Sequence, residues 1–571
     1  NGQAGRLGLP MLDTEVASEE HSRFSATGGG KGAGSCGFGP ATGGWRASEP
    51  VELGTFAEPA ITLAQLADVA AGRRKLSLTC ASVEAMERSR ALLEKAVRER
   101  RIIYGVTTGF GPLAGRFISP EQSGQLQRNL VSHLATGVGS PFSQVQTRAI
   151  MTARAVNLAK GHSAIRPESV QLLIECINVG IVPIIPSIGT VGASGDLTPL
   201  AHMTLALFGE EDVFLEGEQM SAAEAFRKKG MKPLVPEHKE ALALVNGTSA
   251  MTAIAALNGC DARNGVQVAL ELTVLYAELL RGRLEAYDLR FSAVRPHKGQ
   301  QAATRELLRL CGDSGRLRPS EPAWLPEDAF HANGISAGNE VPQDPYTIRC
   351  APQIAGAVLD VLNFHDEVVE TELNSVTDNP IFFGDDILHG GNFFGQHVAF
   401  ASDALLTAVI TLAVHSERKI ARMVDEKLNG GLPAFLQGDR TGLQSGFMGA
   451  QVTASALVAE MRSKAVPASI QSIPTNANNQ DVVTMGTLAA RKTSEMLDHL
   501  FDVLAIEALI MVQAFEILGG FSSEEFGKSS RGLAKYVRAE SPFLSCDRPL
   551  FADIRRLSAK LRSRPLGPRT K

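Results

Sequence analysis

Between residues 354 and 373, apolar side chains recur at helical spacing. Ile354, Val358, Val361 and Val368 mark one stripe, with Leu362, Val369 and Leu373 beside it. Residues 398–424, 448–463 and 484–518 carry further long patterns with few Gly or Pro breaks. In several of these segments apolar residues fall on most faces, so each helix needs neighbours on all sides. That predicts a thick bundle completed by subunit contacts. Strand-like alternation is scarce, and the chain is expected to be mainly α. Up to Gly115 the signal is mixed, with short apolar runs such as RIIYGV alternating with Gly-rich turns.

Three stretches call for a separate reading. Residues 1–50 hold nine glycines between Gly28 and Gly44, no periodicity and few large apolar groups, the composition of a disordered extension. Within it GAGSCG (32–37) matches the spacing of a dinucleotide-binding turn. No strand precedes it and no amphipathic helix follows, so that reading fails. Val398 to His415 is nearly long enough to span a membrane. It contains Asp403 and runs into Ser416-Glu417-Arg418-Lys419, which favours a helix buried on all sides. The final dozen residues, KLRSRPLGPRTK, read as a basic frayed tail.

Composition narrows the partners. The net charge of −5 over 571 residues lends no support to nucleic acid or an anionic membrane. The seven cysteines are scattered, odd in number and free of CxxC spacing. They argue against a disulfide framework or a structural zinc site and suit a reducing, cytoplasmic compartment.

Polar, Gly-rich islands separate the helices: YGVTTGFG (104–111), NLVSHLATGVG (129–139), GTVGASGD (189–196), NGTSAM (246–251), QDPYTIR (343–349), NSVTDNPIFF (374–383), HGGNFFGQH (389–397) and SIPTNANNQDVVTMG (472–486). Caps and turns explain many of these residues singly, but not eight islands. Buried amides need partners, so clustering them is costly unless they serve one another or a ligand. Familiar motifs are absent. A nucleophile elbow around Ser194 would need glycine where Asp196 stands, HExxH does not occur, and Gly30-Lys31-Gly32 breaks the phosphate-loop pattern. His389 and His397 lie among Gly and Asn without acidic company, so no metal is expected.

Ala193-Ser194-Gly195 offers a different chemistry. If the chain is compressed there, the Gly195 amide nitrogen can attack the Ala193 carbonyl carbon, and loss of water turns the Ser194 side chain into an exocyclic methylene. Glycine minimises hindrance at the nitrogen, serine supplies the hydroxyl to lose, and alanine keeps the carbonyl open. The product is a strong electrophile that needs no added cofactor.

Taken together, GTVGASGDLTPLAH, YGVTTGFGPLA, LVNGTSAM, QDPYTIRCAPQ, TDNPIFF, HGGNFFGQH, SGFMGAQVTA and TNANNQDVV resemble the aromatic amino-acid ammonia-lyase family, in order from about residue 60 to 555. The resemblance implies the histidine/phenylalanine ammonia-lyase fold: an N-terminal domain (51–250) bearing the prosthetic group, then a central and C-terminal long-helix bundle (251–571). It also implies a homotetramer whose active sites combine loops of several subunits. The prosthetic group would be 4-methylidene-imidazole-5-one (MIO), formed autocatalytically from Ala193, Ser194 and Gly195. The methylidene from Ser194 would capture the substrate amine, and Tyr104 would take the β-proton as tyrosinate. Arg349 would clamp the substrate carboxylate. Asn246 and Tyr346 would lie beside the prosthetic group, with Asn379, Asn476 and Gln480 as polar walls. The chain lacks the extra C-terminal length of plant and fungal members, which points to the bacterial type.

Substrate choice rests on His133-Leu134, the pair that in this family faces the substrate ring. Members acting on histidine tend to carry Ser-His there, those acting on phenylalanine Phe-Leu, and those acting on tyrosine His-Leu. An imidazole can hydrogen-bond a phenolic hydroxyl that Phe would leave unpaired. Gln480 stands where histidine-specific members place Glu. The expectation is elimination of ammonia from L-tyrosine to give trans-p-coumarate, with some activity on phenylalanine. A tyrosine 2,3-aminomutase, a phenylalanine or histidine lyase and an inactive helical scaffold remain as alternatives.

Overall fold

A computed structural model describes residues 49–319, 321, 342–438 and 442–564. The expectation for residues 1–50 therefore falls almost wholly outside the described residues. The helices that place the site are α1 (Ser123–Leu134), α2 (Gln144–Ala159), α3 (Leu197–Leu207), α4 (Glu240–Val245), α5 (Ser249–Leu279), α6 (Ala351–Leu373), α7 (Gln396–Val424), α8 (Met448–Ser463), α9 (Gly486–Ile517) and α10 (Phe551–Arg562). Sheets are small among the described residues. Val51–Leu53 runs parallel to Leu76–Leu78, and Val138–Pro141 pairs antiparallel with Pro186–Ile188. Val182–Pro183, Asp212–Leu215 and Glu218–Ser221 form a three-stranded sheet, and Ile381–Phe383 with Asp386–Leu388 a hairpin.

The 31-residue α5 organises the packing. Its first two turns, Ala250 to Ala256, belong to an apolar cluster built mostly from residues 51–256, including α2, α3 and α4, with Val369, Leu373, Val398 and Ala490 added. From Ala262 onward it joins a second cluster with α6, α7 and α9. A helix shared in this way must be apolar nearly all round, and α5 is buried along most of its length. Near its C-terminal end the three longest helices are pinned by a fully buried ion pair. Lys419 on α7 meets Glu507 on α9 at 2.6 Å and donates to Thr273 Oγ1 on α5 at 3.0 Å.

The long helices at 398–424, 448–463 and 484–518 appear as α7, α8 and α9. The segment with membrane-like hydropathy lies in α7, where 67% of its most apolar 18-residue window is buried inside the chain. That is the environment of a core helix. Two expectations need correction. On α6 the fully buried line is Val358, Leu362, Val369 and Leu373, while Ile354, Val361 and Val368 are only half-buried. His365 and Asp366 sit on the buried line, and Asp366 holds Arg263 of α5 at 2.6 Å. A buried ion pair thus occupies positions that hydrophobic periodicity cannot register.

The basic C-terminal segment is docked through Arg564, not frayed. Arg562 at the end of α10 pairs with Asp261 at 2.6 Å, Arg564 pairs with Glu271 at 2.5 Å, and Asn264 donates to the Leu561 carbonyl at 2.9 Å. The acidic partners lie on α5, about three hundred positions upstream, where local composition gives no hint of them. Residues 565–571 lie outside the described residues.

Candidate active site

The strand Pro186–Ile188 leads into GTVGASGD, and α3 leaves it. Between them the backbone doubles back so tightly that Ala193 and Gly195 meet across Ser194, and Gly195 meets Gly247. Gly195 has φ +68°, and a methyl group there would sit 2.1 Å from the Gly247 carbonyl oxygen. No other residue fits. The turn is held from both sides. The Asp196 amide donates to Gly247 O at 2.7 Å, Thr190 Oγ1 donates to Gly195 O at 3.1 Å, and the Met485 amide donates to Val191 O at 2.9 Å.

Asp196 joins this turn to α5. Its carboxylate is fully buried and accepts from the Met251 amide at 2.7 Å in the first turn of α5, and from the Thr487 hydroxyl at the start of α9. Burial raises its pKa from 3.8 to about 6, against the opposing pull of those hydrogen bonds.

Ser194 Oγ donates to Asn246 Oδ1 at 2.6 Å. Asn246 caps the C-terminal end of α4, and its Nδ2 donates to Asp378 Oδ1 at 3.0 Å and to the Asn379 carbonyl at 3.3 Å. Asn379 Oδ1 accepts from the Gly390 amide at 2.8 Å, and the adjoining His389 accepts at Nε2 from the Tyr104 amide at 3.2 Å. Burial, and then the Lys239 charge, lower the pKa of His389, which suits the neutral acceptor. The Tyr104 hydroxyl accepts from the Gly111 amide at 2.9 Å. Gly111 lies against Asn476, whose Nδ2 would be 2.5 Å from a methyl group at that position.

The loop bearing Asn476 returns to the start. Asn476, Ala477 and Asn478 run at φ +52°, +53° and +61°, a left-handed turn closed by Thr475 and Gln480. Thr475 donates from its amide to Gln480 O at 3.0 Å and from Oγ1 to Gln480 Oε1 at 2.8 Å. Further along, Thr484 Oγ1 donates to Gly192 O at 3.2 Å. Ser194, Asn246, Asn379, His389, Tyr104, Gly111, Asn476 and Thr484 thus form a closed circuit of neighbours. Leu134, like Tyr104 and Phe110, packs against the first apolar cluster. His133 is exposed at the end of α1, with Nδ1 on the Asn129 carbonyl at 3.1 Å.

Tyr346 and Arg349 are elsewhere. They occupy the helical turn Tyr346–Arg349, where the guanidinium lies 4.4 Å from the Tyr346 ring centroid. Thr347 between them hydrogen-bonds Tyr276 at 2.9 Å, and its carbonyl meets His415 at 2.9 Å. Tyr276 is 25 positions beyond Met251 on α5, so the two groups are separated by roughly 37 Å of helix. Arg349 lines a cavity of about 290 Å³ with Arg283, Asp344, Phe291 and Gln353. Its Nε is buried without a hydrogen-bond partner among the described residues.

The sequence motifs do not single out Lys239, Arg154 or Asp378, and His389 figures there only as a candidate metal ligand. Asp378 adjoins Asn379 in TDNP and could have been suspected. Lys239 is lost in the charged run EHKE (237–240), and Arg154 is a lone charge among small apolar residues; neither carries a signal. Among the described residues, Glu460, Glu495 and His499 are close enough to share an ion, but they are partly exposed and Lys464 already bridges the two carboxylates.

A family profile described as "Aromatic amino acid lyase" matches residues 61–539. The tyrosine ammonia-lyase of Cereibacter sphaeroides is 48% identical over 507 residues, 88% of this chain and 96% of its own. Among solved structures, the tyrosine aminomutase of Streptomyces globisporus is 36% identical with a TM-score of 0.85, over 90% of this chain and 97% of its own. Histidine ammonia-lyase from Trypanosoma cruzi is 33% identical with a TM-score of 0.78, over 88% and 92%. The fold is therefore the one shared by the histidine and phenylalanine ammonia-lyases, and the chain belongs to the aromatic amino acid lyases, as a carbon–nitrogen lyase.

Proposed function

We propose that the chain eliminates ammonia from L-tyrosine to give trans-p-coumarate, with some turnover of L-phenylalanine. The observation that carries this reading is the compressed Ala193-Ser194-Gly195 turn facing Tyr104 across one ring of polar contacts. The residues fit an MIO group. Gly195 tolerates no side chain, the Ser194 hydroxyl has a single positioned acceptor, and Asp196 anchors the turn to α5 from behind. That group would supply an electrophile for the substrate amine.

The chain's own residues supply the rest. Tyr104 would remove the β-proton, and the Gly111 amide is a donor that an oxygen anion would use. Arg349 would hold the carboxylate through its planar fork. His133 would meet the phenolic hydroxyl, a reading supported by 48% identity to a tyrosine ammonia-lyase. About 37 Å of α5 separates Arg349 from Ser194 within one chain. The two serve one substrate only if different copies contribute them, which supports a homotetramer with shared sites. Cys80, Cys176, Cys311, Cys350 and Cys546 are free thiols, in keeping with a reducing, cytoplasmic setting.

Incubation with tyrosine, phenylalanine and histidine, with chromatography of the products, tests the assignment. Coumarate from tyrosine as the main product is expected. Likeness to a tyrosine aminomutase makes β-tyrosine the specific competing outcome, and its predominance would overturn the lyase reading.

A further inference from the structure

Behind Asn246 lies a charged arrangement that the reaction itself does not call for. Lys239 Nζ meets Asp378 Oδ2 at 2.5 Å, and both side chains are fully buried. Lys239 precedes α4 with φ +63°, a left-handed conformation that a residue with a side chain adopts only at a cost. Asn246 follows α4, seven positions later, so the two side chains stand two helical turns apart on the same face. They converge on one carboxylate. Asp378 Oδ2 takes the lysine, while Oδ1 takes Asn246 Nδ2 at 3.0 Å and the Asn379 amide at 2.7 Å. Arg154, also fully buried, adds a second positive charge facing Asp378, and burial lowers its own pKa to about 10.

The consequence is a fixed orientation of one amide. An asparagine can present either its oxygen or its nitrogen to a neighbour. With Nδ2 committed to Asp378 and to the Asn379 carbonyl, only Oδ1 remains for Ser194, and it accepts the Ser194 hydroxyl at 2.6 Å. Asp378 Oδ1 takes both amide donors while Lys239 fixes the other oxygen, so the orientation of the carboxyl group is set from both sides.

We propose that Asp378, held in place by Lys239, is a positioning residue for self-processing: it orients Asn246 so that the Ser194 hydroxyl is held ready for elimination. The inference rests on the MIO reading above. In that processing the Gly195 nitrogen bonds to the Ala193 carbonyl carbon. The carbonyl oxygen leaves as water with the amide hydrogens of Gly195 and Ser194. Ser194 then loses its hydroxyl with its α-hydrogen as a second water, so the mature chain is lighter by two waters, with no oxidant consumed.

Intact-protein mass of the full chain, followed after a short expression pulse, reads this step directly. The unaltered chain should lose two waters; if it does not, the MIO reading fails and this inference with it. In Asp378→Asn the same loss should be slowed by about tenfold or more, because Lys239 keeps the amide oxygen and the amide nitrogen is turned towards Asn246 Nδ2, donor against donor. In the double variant Lys239→Met, Asp378→Asn the lysine is gone and an oxygen can again face Asn246, so processing should recover in part. Melting temperature and size-exclusion profile, measured on the same samples, separate positioning from folding. Asp378→Asn protein that is folded and processed at the normal rate overturns the proposal while leaving the MIO reading intact. So does a double variant no faster than the single one.

Discussion

The two ends of α5 hold two very different half-sites. At its N-terminal end, Ser194, Asn246 and Tyr104 are set by loops, left-handed residues and buried charge, each polar group already engaged with another. At the far end, Arg349 rides on a single helical turn docked against the bundle. It stacks on Tyr346, and its Nε has no partner among the described residues. At the first end the spare guanidinium, Arg154, is fully buried and faces the Asp378 charge; at the other, the spare guanidinium of Arg349 lines a cavity. The contrast matches the proposal that one end carries the electrophile and the other serves a substrate held at another copy's turn.

The largest effect should come from disturbing the compressed turn. Gly195→Ala places a methyl group against the Gly247 backbone, so mass spectrometry should find the unprocessed chain and product chromatography no coumarate. A processed, active variant would show that the compression is not required. Removing the opposite half-site should leave processing intact and still impair turnover. For Arg349→Ala we expect the two-water loss to be complete and kcat/KM for tyrosine to fall by about a hundredfold, the worth of a lost bidentate charge pair.

Smaller changes sharpen the same division. His133→Phe removes the candidate partner for the phenolic hydroxyl. The ratio of kcat/KM for tyrosine over phenylalanine should drop roughly tenfold; an unchanged ratio would remove His133 from substrate choice. The smallest expected effect concerns Asp196. Because burial raises its pKa from 3.8 to about 6, the folded chain holds a proton there that the unfolded chain has released. The stability this group contributes is present below about pH 4 and is lost as pH rises through about 6. Denaturant titrations of the unaltered chain and of Asp196→Asn should therefore differ in pH slope within that window and run parallel above it.

Much of this division was legible in the sequence, but unevenly. The long helices announced themselves because burial on most faces leaves an unbroken apolar text, as in 398–424. The polar islands were legible because eight clusters of amides between such helices exceed what caps require. What stayed hidden was pairing at a distance. Lys239 meets Asp378 across 139 positions, and Arg562 meets Asp261 across 301. Such partners leave no local pattern. Nor does periodicity reveal that Asn246, a residue suspected from its motif, depends on a lysine seven positions earlier. The separation of Arg349 from Ser194 follows only from the length of α5, since motifs give order along a chain and not distance in space.

Complementation tests the central claim, that one site draws on different copies, most directly. Ser194→Ala and Arg349→Ala chains are each expected to be inactive or nearly so. Co-expressed with different affinity tags and purified through both, they should form mixed assemblies with coumarate production well above either parent, because some sites then combine an intact turn with an intact arginine. Mixed assemblies no more active than the better single variant would contradict the account, since each chain would then be building its site alone.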